Sequence, residues 1–190
     1  MLKSISDFFL RIAGWKTFIA ALLLYLVFGA YVMPHGLATI QELSGSKVEV
    51  LDLQFSYSPE KVHSILSGYT DESRAYARRF NAIEDSLYPV AYTFLFLIMM
   101  AWLSRSLAVY GVRLGYIHLL PFVVMMADYS ENTCIITMLR KYPAIPDRLV
   151  HLSSILTSTK WTVLGLESFI ILGGLGLIGY YRMTGRAAKP

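Results

Sequence analysis

Four long apolar runs constrain this chain more than any other feature of its sequence. They lie near residues 15–33, 84–104, 114–139 and 160–181. Each has about the 20 residues that an α-helix needs to cross the hydrocarbon core of a bilayer. Because the runs are continuous rather than alternating, they predict helices and not the strands of a barrel. The sequence therefore predicts an all-α membrane protein, with a four-transmembrane-helix bundle in one membrane domain over 1–190.

The composition agrees with a membrane protein. Of the 190 residues, 16% are charged and 55% are hydrophobic, whereas soluble domains carry about 25% charged residues. The net charge of +4 is not clustered on one polar face, so the expected partner is the lipid bilayer and not nucleic acid. Cys134 is the only cysteine, which excludes an internal disulfide and a multi-cysteine metal site.

Basic residues predict the orientation in the membrane. The N-terminal segment, the loop after the second run and the tail contain one acid, Asp7, and these basic residues: Lys3, Arg11, Lys16, Arg105, Arg113, Arg182, Arg186 and Lys189. Short basic segments mark the cytoplasmic side. Four crossings then place both termini in the cytoplasm and the loops 35–82 and 141–159 outside. A cleavable signal peptide is the alternative for the first run, but 28–33 lacks a small-x-small site.

The loop 35–82 predicts a small cap on the outer face, built from strand and helix. Residues 48–57 alternate between apolar and polar, which is typical of a half-buried strand. Ser58-Pro59-Glu60 is a typical helix start, with a stop near Gly68, and Thr70 begins another helix. That second helix is expected to continue into the second apolar run.

Acidic and amide side chains interrupt the third run. Asp128, Glu131 and Asn132 share one helix face near the predicted middle of the bilayer. An acid there costs about 2.5–3.5 kcal/mol on insertion scales, so such groups face a protein interior or a wet cavity. Lys160 is the nearest expected counter-charge, with Arg78, Arg79 and Arg140 as further candidates.

Other helices are expected to bring polar groups to the same depth. The predicted ligand-binding pocket, open to the outside, is lined by Asp128, Glu131, Asn132, Glu167, Tyr88, Tyr92 and Asp85. An excess of acids favours a small cationic or amphipathic ligand, a lipid or a proton, which the protein binds or passes.

Two alternatives remain open at this point. In the first, the acids only clamp helices together, and the protein is a structural or accessory subunit of a membrane protein partner. In the second, two carboxyl groups act as acid and base on a lipid. The sequence argues against an enzyme because it has no HExxH, GxSxG, P-loop or GxGxxG motif. It identifies no cofactor and no metal site.

Three short motifs carry a resemblance to a known group. They are Tyr57-Ser58-Pro59-Glu60, Asp85-Ser86-Leu87-Tyr88-Pro89 and Ala127-Asp128-Tyr129-Ser130-Glu131-Asn132. With Arg78-Arg79, they make the chain resemble a group of small four-helix bacterial membrane proteins. The resemblance implies a bacterial inner-membrane protein and the same order of spans. It implies no activity and no functional residues.

Overall fold

Helices account for all regular structure in residues 1–185, which the computed structural model describes, and there is no strand among them. The α-helices are α1 Leu2–Ile12, α2 Trp15–Val27, α3 Met33–Ser44, α4 Pro59–Ser67, α5 Asp71–Ala82, α6 Glu84–Ala108, α7 Pro121–Lys141 and α8 Asp147–Met183. A π-helical turn, Phe28–Val32, joins α2 to α3. Only Ile83 separates α5 from α6. The described chain therefore forms six continuous helical segments. Arg186 and Lys189, which contribute to the basic tail, lie outside the described residues.

Three of these segments are long and apolar enough to cross a membrane: Trp15–Ser44, Asp71–Ala108 and Asp147–Met183. The prediction of a four-transmembrane-helix bundle is therefore wrong. The third predicted run, 114–139, begins with a turn and a short 3-10 helix, Ile117–Leu119, and continues as α7, which is not among the three. Asp128, Glu131 and Asn132 lower the hydropathy of α7. Three crossings also give no support to termini on the same side.

The predicted strand in the cap is also wrong. Residues 47–50 are irregular, and Leu51–Leu53 is a short 3-10 helix. Val48, Leu51 and Tyr57 are buried in a core that helices build around them, whereas the apolar residues Leu53 and Phe55 are exposed. The alternation therefore does not match burial, and a strand also needs a neighbour to accept its backbone hydrogen bonds.

Both predicted helix starts are confirmed. The Ser58 hydroxyl accepts a hydrogen bond from the Lys61 amide at 3.3 Å, and Pro59 occupies the first position of α4. The Thr70 hydroxyl accepts from the Ser73 amide at 3.1 Å and begins α5. Each hydroxyl satisfies an amide that the first turn of a helix leaves without a partner.

α6 is the central helix of the bundle. It packs against α2 on one side and against α7 and α8 on the other, and the pair α7–α8 has the most extensive contact. α2 has no extensive contact with α7 or α8. A cleft therefore separates α2 from α8, with α6 as its floor.

The cap core joins the outer segments to this bundle. Side chains from α3, α4, α5, α7 and the start of α8 form one buried cluster that includes Ile40, Leu66, Ala77, Met138 and Val150. Burial of this apolar cluster holds α4 and α5 over the end of α7, at about 25 cal/mol per Å² of apolar area.

Gly36→Ala is expected to destabilise the protein by about 1–3 kcal/mol, as overpacked cores do. A Cβ atom on Gly36 would lie 2.0 Å from the Phe80 ring, where α3 crosses α5. Thermal unfolding in maltoside micelles would measure the loss. Gly173→Ala on α8 is the matched control, since nothing lies within 4 Å of the added carbon. Equal unfolding temperatures for the two variants would contradict the close contact between α3 and α5.

Candidate functional site

A buried ion pair connects α7 to α8. The Lys160 Nζ lies 2.6 Å from Glu131 Oε2 and 3.8 Å from Asp128 Oδ1. Glu131 is 0% exposed, and Lys160 is also buried. Since Asp128 and Glu131 are three residues apart on one helix, both carboxyl groups reach the same ammonium group. Lys160 thus supplies the counter-charge that the sequence predicts for these acids.

Hydroxyl groups satisfy the other side of Glu131. The Thr157 hydroxyl donates a hydrogen bond to Glu131 Oε1 at 2.6 Å. It also lies 3.1 Å from the Tyr57 hydroxyl, which is 2.6 Å from Ser153 Oγ. Burial raises the pKa of Tyr57 to about 12, so the phenol keeps its proton at neutral pH. Glu131 is therefore held in a satisfied polar network that links the cap to α7 and α8.

Asp128 also contacts α6, through its second carboxyl oxygen. The Tyr92 hydroxyl donates a hydrogen bond to Asp128 Oδ2 at 2.6 Å. Asn132 lies one turn further along α7, and its amide nitrogen donates to the backbone oxygen of Asp85 at 3.4 Å. These contacts hold the polar stripe of α7 against the start of α6.

Asp85 is the unpaired acid of this group. It is 5% exposed, and in the described part of the chain its carboxyl group has no hydrogen bond and no ion pair. A buried carboxyl group without a partner is costly. Its position is therefore informative, because it borders a cavity.

The polar cavity, as we call this space, has a volume of about 480 Å³ and lies between α2, α6, α7 and α8. Its acidic lining comes from Asp52, Asp85 and Asp128, and Lys160 is its one basic residue in the described chain. Its aromatic lining comes from Tyr25, Tyr88, Tyr92, Phe96 and Trp161. Glu131 is not part of the lining. The positive charge of Lys160 is therefore partly neutralised by an acid outside the cavity.

The seven predicted site residues fall into three groups. Asp85, Tyr88, Tyr92 and Asp128 line the polar cavity. Glu131 and Asn132 belong to the adjoining buried contacts between helices. Glu167 is separate from both. It is two turns, about 10 Å, along α8 from Lys160. It does not line the cavity, and it pairs with no base in the part of the chain that the structure describes.

Glu167→Met is expected to raise the stability of the protein by about 1–3 kcal/mol, the usual cost of a buried polar group without a partner. Glu167 is 1% exposed, and its Oε1 atom has no hydrogen bond in the described residues. The unfolding temperature in micelles would measure the gain. Glu167→Gln, which keeps a buried polar group, should gain less. A lower unfolding temperature for Glu167→Met would show that the carboxyl group has a stabilising partner.

Three cavity residues come from distant segments and were not predicted from the sequence. Asp52 lies in the cap, Tyr25 in the first apolar run and Trp161 at the start of the last. Trp161 resembles an ordinary aromatic residue near the membrane surface, Tyr25 lies in the middle of an apolar run, and Asp52 resembles one polar residue of the predicted strand. The one indication in the sequence was that Trp161 directly follows Lys160, the predicted counter-charge. Arg79, in contrast, pairs with Glu84 at 3.1 Å and does not reach the acids of the cavity.

Comparison of the chain with family models, with curated proteins and with solved structures gave no match. The resemblance to small bacterial membrane proteins therefore stays a prediction, and the function must be argued from the residues themselves.

Proposed function

We propose that this membrane protein binds a small ligand that carries a positive charge, in the polar cavity between α2, α6, α7 and α8. The observation that carries the proposal is the buried, unpaired carboxyl group of Asp85 at the wall of that cavity. An ammonium group placed there would supply the missing partner. Asp128 and Asp52 border the same space and add to the attraction.

The charge balance supports a cation over an anion. Three acids border the cavity, and Lys160 is already 2.6 Å from Glu131. An anion would have to compete with Glu131 for the ammonium group of Lys160, and it would face Asp85 and Asp128. In a low dielectric such like-charge contacts are strongly unfavourable. A cation meets the opposite situation, and the aromatic rings of the lining add cation–π attraction.

Thermal stabilisation by butylammonium chloride tests the proposal directly. In maltoside micelles we expect the salt to raise the unfolding temperature of the natural protein, relative to potassium chloride at the same ionic strength. Asp85→Asn/Asp128→Asn should lose this response, because the neutral amides attract no cation. The double variant is expected to fold, since Tyr92 still has an oxygen acceptor at position 128 and Lys160 keeps Glu131.

Asp7→Asn/Asp147→Asn is the matched control, because it removes the same charge from two exposed positions. It should keep the full response. An unchanged response in the cavity variant, or no response in the natural protein, would reject cation binding in this cavity.

A second candidate function is that of an accessory subunit in a membrane assembly, and the network around Glu131 favours it. That network is satisfied internally by Lys160 and Thr157 and needs no ligand. Such a subunit would be recovered from native membranes with one partner protein in fixed proportion. It would give no thermal response to butylammonium.

We also propose a bacterial inner membrane as the location, with the basic N-terminal segment in the cytoplasm. Lys3, Arg11 and Lys16 precede or begin the first apolar helix, and Asp7 is the single acid among them. Positive charge at the start of a span favours retention on the cytoplasmic side. A cysteine placed at Ser4 should then resist a membrane-impermeant maleimide until the cells are opened.

A further inference from the structure

An apolar cavity continues the cleft below the polar cavity. It has a volume of about 370 Å³ and is lined by the start of α2, the second half of α6 and the second half of α8. Its walls include Phe18, Met99, Trp102 and Leu175. Among residues 1–185, no acidic or basic residue lines it. The two cavities therefore differ sharply in chemistry, although the same three helices border both.

The lining residues of the two cavities form continuous stripes. On α8 the stripe runs from the polar to the apolar cavity through Lys160, Leu164, Ser168, Ile171 and Leu175. On α6 it runs through Asp85, Tyr92, Phe96, Met99 and Leu103. Spacings of three and four residues, with one of seven, keep each stripe on one helix face. The stripe on α8 extends over about 22 Å.

Outward-facing apolar residues flank the cleft. Leu23 and Val27 of α2 and Phe169 and Leu172 of α8 are exposed. In a bilayer these surfaces meet lipid chains, and α2 and α8 have no extensive contact with each other across the cleft.

We propose that the ligand is a lipid-like amine with one long apolar chain, which enters sideways from the bilayer. Its ammonium group pairs with Asp85 and Asp128, and its chain lies in the apolar cavity along α6 and α8. This inference rests on the proposed function and assigns the class of the ligand and its orientation. The excess of acids in the polar cavity favours an ammonium head group. The apolar cavity in line with it favours a long apolar chain.

Head and chain have different tasks in this arrangement. Lipid chains are as apolar as the cavity, so transfer of the chain from the bilayer gives little free energy. The ammonium group gains a charge-assisted pairing that the bilayer core does not offer. The acids therefore determine the affinity, whereas the apolar cavity determines where the chain lies.

Photocrosslinking with hexadecylamine that carries a diazirine at the chain end tests this arrangement. The matched probe is hexadecanol with the same diazirine, and both are added to the protein in maltoside micelles. We expect the amine to crosslink to residues 98–103 and 171–175, identified by peptide mass spectrometry. Its yield there should exceed that of the alcohol by about ten- to a hundredfold, which corresponds to a hydrogen bond with a charged group.

Leu175→Trp should lower the yield at residues 98–103, because the larger ring fills the apolar cavity. Leu172→Trp is the matched control. Leu175 lines that cavity and is 43% exposed, whereas Leu172 faces outward and is 70% exposed. The control should crosslink like the natural protein, and both variants should unfold at similar temperatures.

The outcomes separate this inference from the proposed function. Where butylammonium stabilises the protein, the long-chain amine could still crosslink outside residues 98–103 and 171–175, or its yield could be unchanged in Leu175→Trp. Either result rejects the lipid-like ligand and leaves the proposal of cation binding intact. Equal yields of amine and alcohol at residues 98–103 reject the assignment of the head group. If neither amine responds to the loss of Asp85 and Asp128, both proposals fail.

Discussion

Lys160→Met is expected to lower the unfolding temperature by about 6–20 °C, the largest effect of any single change proposed for this protein. Removal of one partner from a buried ion pair costs about 3–5 kcal/mol, and each kcal/mol shifts the midpoint of a chain of this size by about 2–4 °C. The cost arises because Glu131, 0% exposed, keeps only the Thr157 hydroxyl as a partner. Asp128 also loses its neighbouring positive charge, at 3.8 Å.

Two further variants make this result specific. Lys141→Met removes an exposed lysine from the end of α7 and should shift the midpoint by no more than about 2 °C. Glu131→Gln/Lys160→Met should recover much of the loss, because the neutral amide still accepts the hydrogen bond from Thr157. If Lys160→Met unfolds at the temperature of the natural protein, Glu131 has no need of a counter-charge and the described network is wrong.

Met138→Ala is expected to lower the unfolding temperature by about 4–20 °C. Met138 is 0% exposed in the cap core, on the helix α7 that packs against α5 and α8. Truncation of a buried methionine costs about 2–5 kcal/mol, since the transfer energy is lost and a cavity remains. The same experiment reports on the cap, because proteolysis of α4 and α5 should become faster when their support on α7 is weakened.

Met126→Ala is the control on the same helix. Met126 lies twelve residues earlier on α7 and is 61% exposed, so its truncation leaves no internal cavity. We expect a shift of no more than about 2 °C. Similar losses for the two variants would mean that α7 does not present one buried and one outward face, which would remove the support for the polar stripe formed by Asp128, Glu131 and Asn132.

Local signals were sufficient for the starts of α4 and α5 and for three of the four predicted membrane-spanning helices. A hydroxyl followed by proline and an acid at Ser58 predicts α4 because the physical cause lies within four residues. Continuous apolar runs predict membrane helices for the same reason. The prediction that Asp128, Glu131 and Asn132 face inward also needs only helical spacing and the cost of charge in lipid.

Other features depend on partners that the sequence does not name. The alternation in residues 48–57 predicted a half-buried strand wrongly, because only Val48, Leu51 and Tyr57 are buried there, whereas Leu53 and Phe55 are exposed. The neighbours of the buried residues are helices. Glu167 lies on the same face of α8 as Lys160, but its carboxyl group pairs with no base among the described residues and does not line the polar cavity. Likewise, Glu131 has a basic partner because α7 packs against α8 at Lys160, whereas Asp85 on α6 has no basic side chain within pairing distance in the described residues.

The sequence alone determined a helical membrane protein with a band of acids inside it. The length and hydropathy of an apolar run and the helical spacing of its residues are properties of a short local segment. Only the tertiary structure decided that Lys160 pairs with Glu131, that the Asp85 carboxyl group has no partner within residues 1–185, and that α2 has no extensive contact with α8. These features arise from the way helices pack around α6, and that packing depends on side chains far apart in the chain.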